Sequence, residues 1–344
     1  MEKRCCLEHN KLNNSSLLLA KRYCPMVKKL AILTSGGDAP GMNAAIRVCI
    51  RAGLYYGIDM YVVYEGFKGL IEGNIKQINK EFTSDIMNRG GTIIRSARLE
   101  EFKEPAVVQK AVRILKDFEI DGLIGIGGDG TYRGLADMAR LGYPVVGIPG
   151  TIDNDVASTD ETIGFATALN TICECVDKIK DTSGSHQRCS VIEVMGRHCG
   201  DLAIFSSLAE GAEACITFDH PTDEEDLFRR LRKMKAQNKS HAIVIVSENL
   251  LNIEELAKKI EQQTGFSSRT EVLGRLQRGG TPVAHDRILA ARLGTEAVEL
   301  FRRGEYGKVV GIHHNTVVSV DLEKALEMKR DIHSNLMKLV EMLQ

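Results

Sequence analysis

Two acid-bearing glycine loops each follow a short apolar run. Leu30-Ala31-Ile32-Leu33 leads into Thr34-Ser35-Gly36-Gly37-Asp38, and Leu123-Ile124-Gly125-Ile126 leads into Gly127-Gly128-Asp129-Gly130-Thr131. Paired glycines let a backbone approach a bulky anion and aim its N–H groups at it. A helix starting just beyond adds partial positive charge. An acid in such a loop repels phosphate unless a divalent cation lies between them, and magnesium prefers oxygen ligands and phosphate company. Two such loops predict a magnesium–polyphosphate site. A third segment, Pro149-Gly150-Thr151-Ile152-Asp153-Asn154-Asp155, follows another apolar run. If extended, it puts Thr151, Asp153 and Asp155 on one side. A carboxylate there can take a proton from a hydroxyl. A plain turn needs two Asn or Asp residues; it does not need Thr-x-Asp-x-Asp directly after a buried strand.

The elements that must hold these residues alternate along the chain from Lys28. Val108, Val112 and Leu115, with Ala111 alongside, predict a helix over 105–118, and Asp121-Gly122 a turn into the strand Leu123–Ile126. Tyr143–Ile148 reads as a buried strand stopped by Pro149-Gly150. Thr222 reads as the cap of a helix with an acidic first turn and a basic end, followed by the strand Ala242–Val246. Such alternation predicts a parallel sheet covered on both faces, with ligands beyond the carboxyl ends of its strands. The length favours two lobes, although no Pro-, Ser- or Gly-rich linker divides the chain.

The composition narrows the field. The 344 residues are 43% hydrophobic and 26% charged, with net charge −1 and no tryptophan. No global field draws the chain to nucleic acid or a membrane, and sparse aromatics argue against a base-stacking surface. The nine cysteines are scattered; Cys5-Cys6 and Cys173-x-Cys175 have no partner pair at zinc spacing. They read as free thiols in a reducing cytoplasm. Residues 1–27 carry Lys3, Arg4 and a Leu17–Ala20 run followed at once by Lys21-Arg22, too short for a signal-peptide core. They read as an appended tail of unknown role.

Several motifs together carry a resemblance: TSGGDAPGMNAAIR at 34–47, GGT at 90–92 with SAR at 96–98, GGDGT at 127–131, PGTIDND at 149–155, DTSGSHQR at 181–188, EVMGRHCGD at 193–201 and LQRGG at 276–280. From about Lys28 to about Met328 the chain resembles the bacterial-type ATP-dependent 6-phosphofructokinases. The resemblance implies an α/β fold of two similar lobes, each a mainly parallel sheet covered by helices, with the active site in the cleft between them. Residues 28–163 and 276–326 would form the larger, nucleotide-binding lobe, and residues 164–275 and 327–344 the smaller, sugar-phosphate lobe. It implies transfer of the terminal phosphoryl of ATP to fructose 6-phosphate, with the 6-hydroxyl as the expected acceptor, giving fructose 1,6-bisphosphate in the committed step of glycolysis.

Residue by residue, the resemblance makes Asp153 the base, with Thr151 near the transferring group and Arg197 stabilising charge in the transition state. Asp129 would hold magnesium. Gly37, Gly128, Gly130, Thr131, Arg98 and Leu99 would line the nucleotide path. Arg188, Arg269, Arg275 and Arg278 would surround the sugar phosphate, whose dianion suits guanidinium forks. Met195, Gly196 and Glu248 would lie along the sugar. In the family the residues matching Arg188 and Arg269 come from a neighbouring subunit, so a homo-oligomer, usually a dihedral tetramer, is expected. Arg47, Arg51, Lys80, Lys180, Glu213 and Lys239 match an effector site for ADP or phosphoenolpyruvate. Arginine is usual at positions 80 and 180, and lysine at 237, where this chain has Gln237; this weakens that expectation.

Arg275 stands where His or Tyr is frequent; it either strengthens phosphate binding or turns to solvent. Arg95 stands where a small residue is common and is placed to intrude near the nucleotide. His186 and His198 read as structural. Two other readings remain open. In a pyrophosphate-dependent relative, Asp and Lys typically occupy the positions of Gly130 and Gly150. In a silent nucleotide or sugar-phosphate sensor, Asp129, Asp153 and Arg197 would not need to occur together. The GGDGT loop alone decides little, since lipid and NAD kinases use a similar one.

Overall fold

The computed structural model describes residues 27–343. The Leu17–Ala20 run and Cys5-Cys6 lie outside the described residues. Twelve strands follow in chain order among the described residues: β1 Lys29–Thr34, β2 Asp59–Val63, β3 Ile75–Ile78, β4 Gly122–Gly127, β5 Val145–Thr151, β6 Ile163–Gly164, β7 Arg188–Val194, β8 Ala214–Ile216, β9 Ala242–Ser247, β10 Ser267–Val272, β11 Lys308–His313 and β12 Thr316–Asp321. They form two sheets. The larger has the order β12-β11-β5-β4-β1-β2-β3, with β6 paired to β5 off this path; the smaller is β10-β7-β9-β8. Within the larger sheet only the β2–β3 and β11–β12 pairs are antiparallel, and the smaller sheet is wholly parallel.

Strand alternation builds the core. Leu30 and Ile32 face one side of β1, and Ala31 and Leu33 the other, each joining a different hydrophobic cluster. The first cluster also takes Ile192 and Val194 of β7 and Ile243 and Ile245 of β9. One continuous apolar core therefore joins the two sheets. Val191 of β7 and Val244 and Val246 of β9 face a third cluster on the far side of the smaller sheet. Both sheets carry apolar residues on both faces, as parallel sheets require.

Two local expectations need correction. β5 does not stop at Pro149-Gly150 but runs to Thr151. Gly127 pairs with Pro149, and Gly150 and Thr151 pair with β6. Asp223, not Thr222, caps the helix Glu224–Ala236, accepting the Glu225 N–H at 3.0 Å. A carboxylate one residue from the first turn outcompetes the hydroxyl. Cys173 and Cys175 are half-buried on the helix Phe165–His186. The described cysteines are all free thiols. Burial pushes Cys49, Cys189 and Cys215 up to about 12, so none of these is a thiolate at neutral pH.

Chain order places the loops. β1 is flanked by β2 on one side and β4 on the other, so the path reverses direction beside β1. That is the topological switch point where α/β folds open a crevice. Thr34 pairs with Ile126, so both glycine loops leave the sheet side by side. The connection towards the smaller sheet is held by Asp286 at the start of the helix Ala284–Arg303. Its buried carboxylate accepts the Gly164 and Thr167 N–H groups, each at 2.8 Å, and the Thr167 hydroxyl. Asp286→Ala strands two buried N–H groups, so a loss of about 2–4 kcal/mol is expected. Urea unfolding measures it, and an unchanged midpoint would refute the role.

Candidate active site

The carboxyl ends of β1, β4 and β5 meet over a cavity of about 320 Å³. Gly36, Gly37 and Asp38 form one wall, and Gly128, Asp129 and Gly130 another. The walls are tied to each other and to the 92–98 segment. Ser35 N–H donates to the Ile126 carbonyl at 3.1 Å, and the Thr131 hydroxyl donates to the Ser35 carbonyl at 3.1 Å. The Ser96 hydroxyl donates to the Gly36 carbonyl at 2.6 Å. Gly37 is glycine for a local reason: a Cβ there would overlap the Arg278 guanidinium.

The helix Asp129–Arg140 starts at Gly128 with no side-chain cap, so its first N–H groups remain available to an anion. The Asp129 carboxylate accepts from Arg133 Nε at 2.9 Å. Arg133 lines the cavity and has no role in the sequence reading; an acid four residues before an arginine was the available signal. The far end of the cavity is apolar. There Phe67 and Phe102 stack with centroids 4.1 Å apart, beside Leu99. These two aromatics also escaped the sequence reading, being far apart in the chain.

Thr151, Asp153 and Asp155 all line the cavity, but not as an extended strand. Asn154 adopts φ +53°, which breaks the alternation. Its side chain holds that conformation: Oδ1 accepts the Thr162 N–H at 3.0 Å, and Nδ2 donates to Asp201 Oδ2 at 2.8 Å. Asp153 is 3% exposed. Its Oδ1 and that of Asp155 are buried without a hydrogen-bond partner. Burial first, then the charge of Asp155, push Asp153 up to about 6, against the opposing pull of Arg278 and Arg197. Burial also raises Asp155, with Arg197 opposing.

Arg197 reaches the cavity from the smaller sheet, on the turn after β7. It sits at φ +54°, with its N–H donated to Glu248 Oε1 at 2.9 Å. Gly196, at φ +134°, has no room for a side chain, because a Cβ would come to 2.5 Å from the Cys199 carbonyl oxygen. Glu248 does not line the cavity; it fixes the backbone of the residue that does. Met195 N–H donates to Gln277 Oε1 at 3.0 Å, and the Gln277 amide donates to the Gly274 carbonyl at 3.0 Å. Buried Gln277 thus joins the β7 turn to the 274–278 turn, a role that the sequence reading did not give it.

Arg98 and Arg278 line both this cavity and a neighbouring one of about 330 Å³. Arg278 lies 3.8 Å from Asp38. Arg95 borders only the second cavity, at φ +61°, with its guanidinium 3.3 Å from Glu65. It therefore stays out of the first. Arg275 is exposed in the single chain and lines neither cavity. Arg188 begins β7 and Arg269 pairs opposite Ser190 on β10. Arg197 follows the other end of β7. Six strand steps separate Arg188 from Val194, about 20 Å. One chain therefore does not bring Arg188 or Arg269 to its own cavity.

The family model for phosphofructokinase matches residues 29–301. The chain belongs to the phosphofructokinase family. It is 50% identical over 319 residues to an ATP-dependent 6-phosphofructokinase of Vibrio vulnificus (strain YJ016), covering 92% of this chain and all of the relative. A relative of the same description from Teredinibacter turnerae is 49% identical over the same span. Among solved structures, phosphofructokinase from Saccharomyces cerevisiae superposes with TM-score 0.82 at 34% identity, covering 87% of this chain; this chain spans 45% of the yeast chain's length.

The residues that match the phosphofructokinase effector site fall into two groups. Arg47 and Arg51 share the helix Met42–Tyr55, and Arg51 Nε donates to the Thr83 hydroxyl at 2.6 Å, whose hydroxyl in turn donates to the Lys80 carbonyl. Lys180 pairs with Glu210, and Lys239 with buried Glu213. No hydrogen bond or ion pair joins the two groups among the described residues. His186 bonds the Thr182 carbonyl and His198 packs edge-on against Phe218. Both contacts are structural.

The pKa of Asp153 makes a prediction with a definite sign. A base must be ionised, so activity should fall as pH drops through about 6, close to tenfold per unit below it. Asp153→Asn should lower turnover about 10²–10⁴-fold and abolish that acid limb. A variant with wild-type turnover and an unchanged pH profile would remove Asp153 from the role.

Proposed function

We propose that this phosphofructokinase transfers the terminal phosphoryl of ATP to fructose 6-phosphate, giving fructose 1,6-bisphosphate and ADP. The observation that carries the reading is the Asp153 carboxylate, with one buried oxygen unpartnered, in one cavity with two glycine loops and the guanidiniums of Arg197 and Arg278. Chemistry corrects one expectation: oxygen 6 of the sugar already carries phosphate, so the acceptor is the 1-hydroxyl. Asp153 takes that hydroxyl's proton. Thr151 stands beside it, and Arg197 meets the charge that spreads over the transferring group. The first-turn N–H groups at Gly128–Gly130 and the guanidinium of Arg98 hold the donor phosphates. The base of the nucleotide lies at the Phe67, Leu99 and Phe102 end, where apolar surface is available.

The residues fit magnesium. The described residues hold no cluster of three or more His, Cys, Asp or Glu side chains suited to a metal. Magnesium needs only one or two carboxylates, keeping waters and phosphate oxygens as its other ligands. Asp129, in the loop facing the unpartnered Asp155 oxygen, is the residue to hold it. A bound magnesium ion would neutralise charge on the donor phosphates. Arg133 would then release Asp129.

Gly130 supports ATP over pyrophosphate as donor. A Cβ there meets nothing within 4 Å, so the glycine leaves open space where an acidic side chain would intrude. Gly150 has a second duty, because a Cβ there would come to 2.9 Å from Ile126 Cγ2. The division into a nucleotide lobe, 28–163 with 276–326, and a sugar-phosphate lobe, 164–275 with 327–344, is part of the proposal. So are a homo-oligomer completed by Arg188 and Arg269, an ADP or phosphoenolpyruvate site shared between the two basic groups, and a cytoplasmic setting. No described helix is long and apolar enough to cross a membrane.

Two measurements test this. A coupled assay with fructose 6-phosphate should show activity with magnesium and ATP, and little with pyrophosphate; equal or better rates with pyrophosphate would reverse the donor reading. Mixing Asp153→Asn with Arg269→Ala subunits under exchange conditions should restore activity that neither has alone, because some mixed sites receive one intact set of residues. Absence of rescue, with exchange demonstrated, would remove the shared site.

A further inference from the structure

The Asp153 loop and the Arg197 turn come from different sheets, yet one carboxylate lies against both: Asp201 bonds Asn154 of the first and follows the second along the chain. Asp201 is the first residue of the helix Asp201–Glu210 and is fully buried. It follows the Arg197–Gly200 turn directly. Its Oδ2 accepts from Asn154 Nδ2 at 2.8 Å, which reaches the loop between Asp153 and Asp155. Its Oδ1 accepts from Arg330 Nη1 at 2.7 Å. Arg330 Nη2 donates to Asp219 at 2.6 Å, and Nη1 also reaches the Asp331 carbonyl. His333 Nε2 stands 3.4 Å from Asp201 Oδ2.

Arg330 lies on the short segment between the helices Leu322–Glu327 and Ser334–Met342. The first packs against the helix Asp129–Arg140 of the donor wall, and the second against Asp201–Glu210. The segment therefore crosses from one side of the cavity to the other, with its guanidinium at the crossing point. A buried carboxylate needs a charged partner, and one that loses it rearranges or takes up a proton. Rearrangement of Asp201 removes one of the side-chain bonds that hold Asn154 in a left-handed conformation, which a non-glycine residue adopts only under restraint.

We propose that Arg330 is a positioning residue for phosphoryl transfer, acting through Asp201 to keep the Asp153 loop and the Arg197 turn in register. The proposal rests on the phosphofructokinase reading above. Small displacements of reacting groups cost turnover steeply, about a hundredfold per ångström. The donor-binding loops belong to other elements, so donor affinity should be spared.

The test uses the full-length chain with magnesium, ATP and fructose 6-phosphate, wild type in parallel. Arg330→Met should lower kcat at least tenfold while the KM for ATP stays within about threefold. Arg330→Lys, which restores a cation to Asp201, should return kcat to within about threefold of wild type. If Arg330→Met fails to fold because Asp201 is left charged, the double variant Asp201→Asn with Arg330→Met removes that charge at constant shape. It should fold and remain at least tenfold slow. Wild-type kcat in whichever methionine variant folds would overturn the proposal, as would a rise in the KM for ATP matching the fall in kcat. An inactive wild type would instead sink the functional reading, so the two failures are distinct.

Discussion

A carboxylate that must take a proton has to be kept away from every donor that would satisfy it. That constraint shapes the site. Asp153 is buried and Asp155 half-buried, the charge of Asp155 opposes ionisation of Asp153, and each keeps a buried oxygen with no hydrogen-bond partner. The pair sits just beyond the end of β5, and the charges of Arg278 and Arg197 oppose the cost of burying Asp153. Neither arginine bonds Asp153 in the structure; each acts at a distance. A direct ion pair would hold Asp153 ionised but fill the lone pair that the proposed reaction uses.

The cost is distributed into backbone conformation. Asn154 and Arg197 both sit at positive φ, and both are pinned by a neighbour's side chain, Asp201 for one and Glu248 for the other. Left-handed non-glycine residues persist where the surroundings over-determine them, and they gather at sites that need preorganisation. Here they make tight reversals at the cavity lining, Asn154 between Asp153 and Asp155 and Arg197 itself. The three polar side chains Glu248, Gln277 and Asp201 then act as fixings that do not line the cavity themselves. The residues proposed to react follow the ends of strands, while the side chains that fix them sit one layer behind.

Much of this was legible in the sequence. The apolar runs before each glycine loop gave β1, β4 and β5, and the loops do converge, because strand order at the switch point makes β1 and β4 neighbours. The motif matches extended the reading to Arg197 and Arg278. What stayed hidden follows one pattern. Thr151, Asp153 and Asp155 share a cavity for a reason that periodicity does not contain, a left-handed Asn154 anchored 47 residues away in sequence. The Phe67–Phe102 stack and the Gln277 bridge likewise join residues that are remote along the chain. Local propensity fixes what an element is, and long-range side-chain bonds fix where its last residue points.

The same geometry divides the work between one chain and several. Every group proposed to hold the donor lies on loops leaving the larger sheet, whose register is set by backbone pairing within a single chain. The groups matched to the sugar phosphate are split. Arg278 lines the cavity, but Arg188 begins a strand whose other end leads to Arg197. No rotamer closes a gap of about 20 Å, since an arginine side chain spans far less. If Arg188 and Arg269 serve a sugar phosphate, they serve the one bound by a neighbouring copy. Donor binding is then a property of the subunit, and acceptor binding a property of the assembly. Any ligand that shifts one copy against another can change sugar affinity without touching the donor loops.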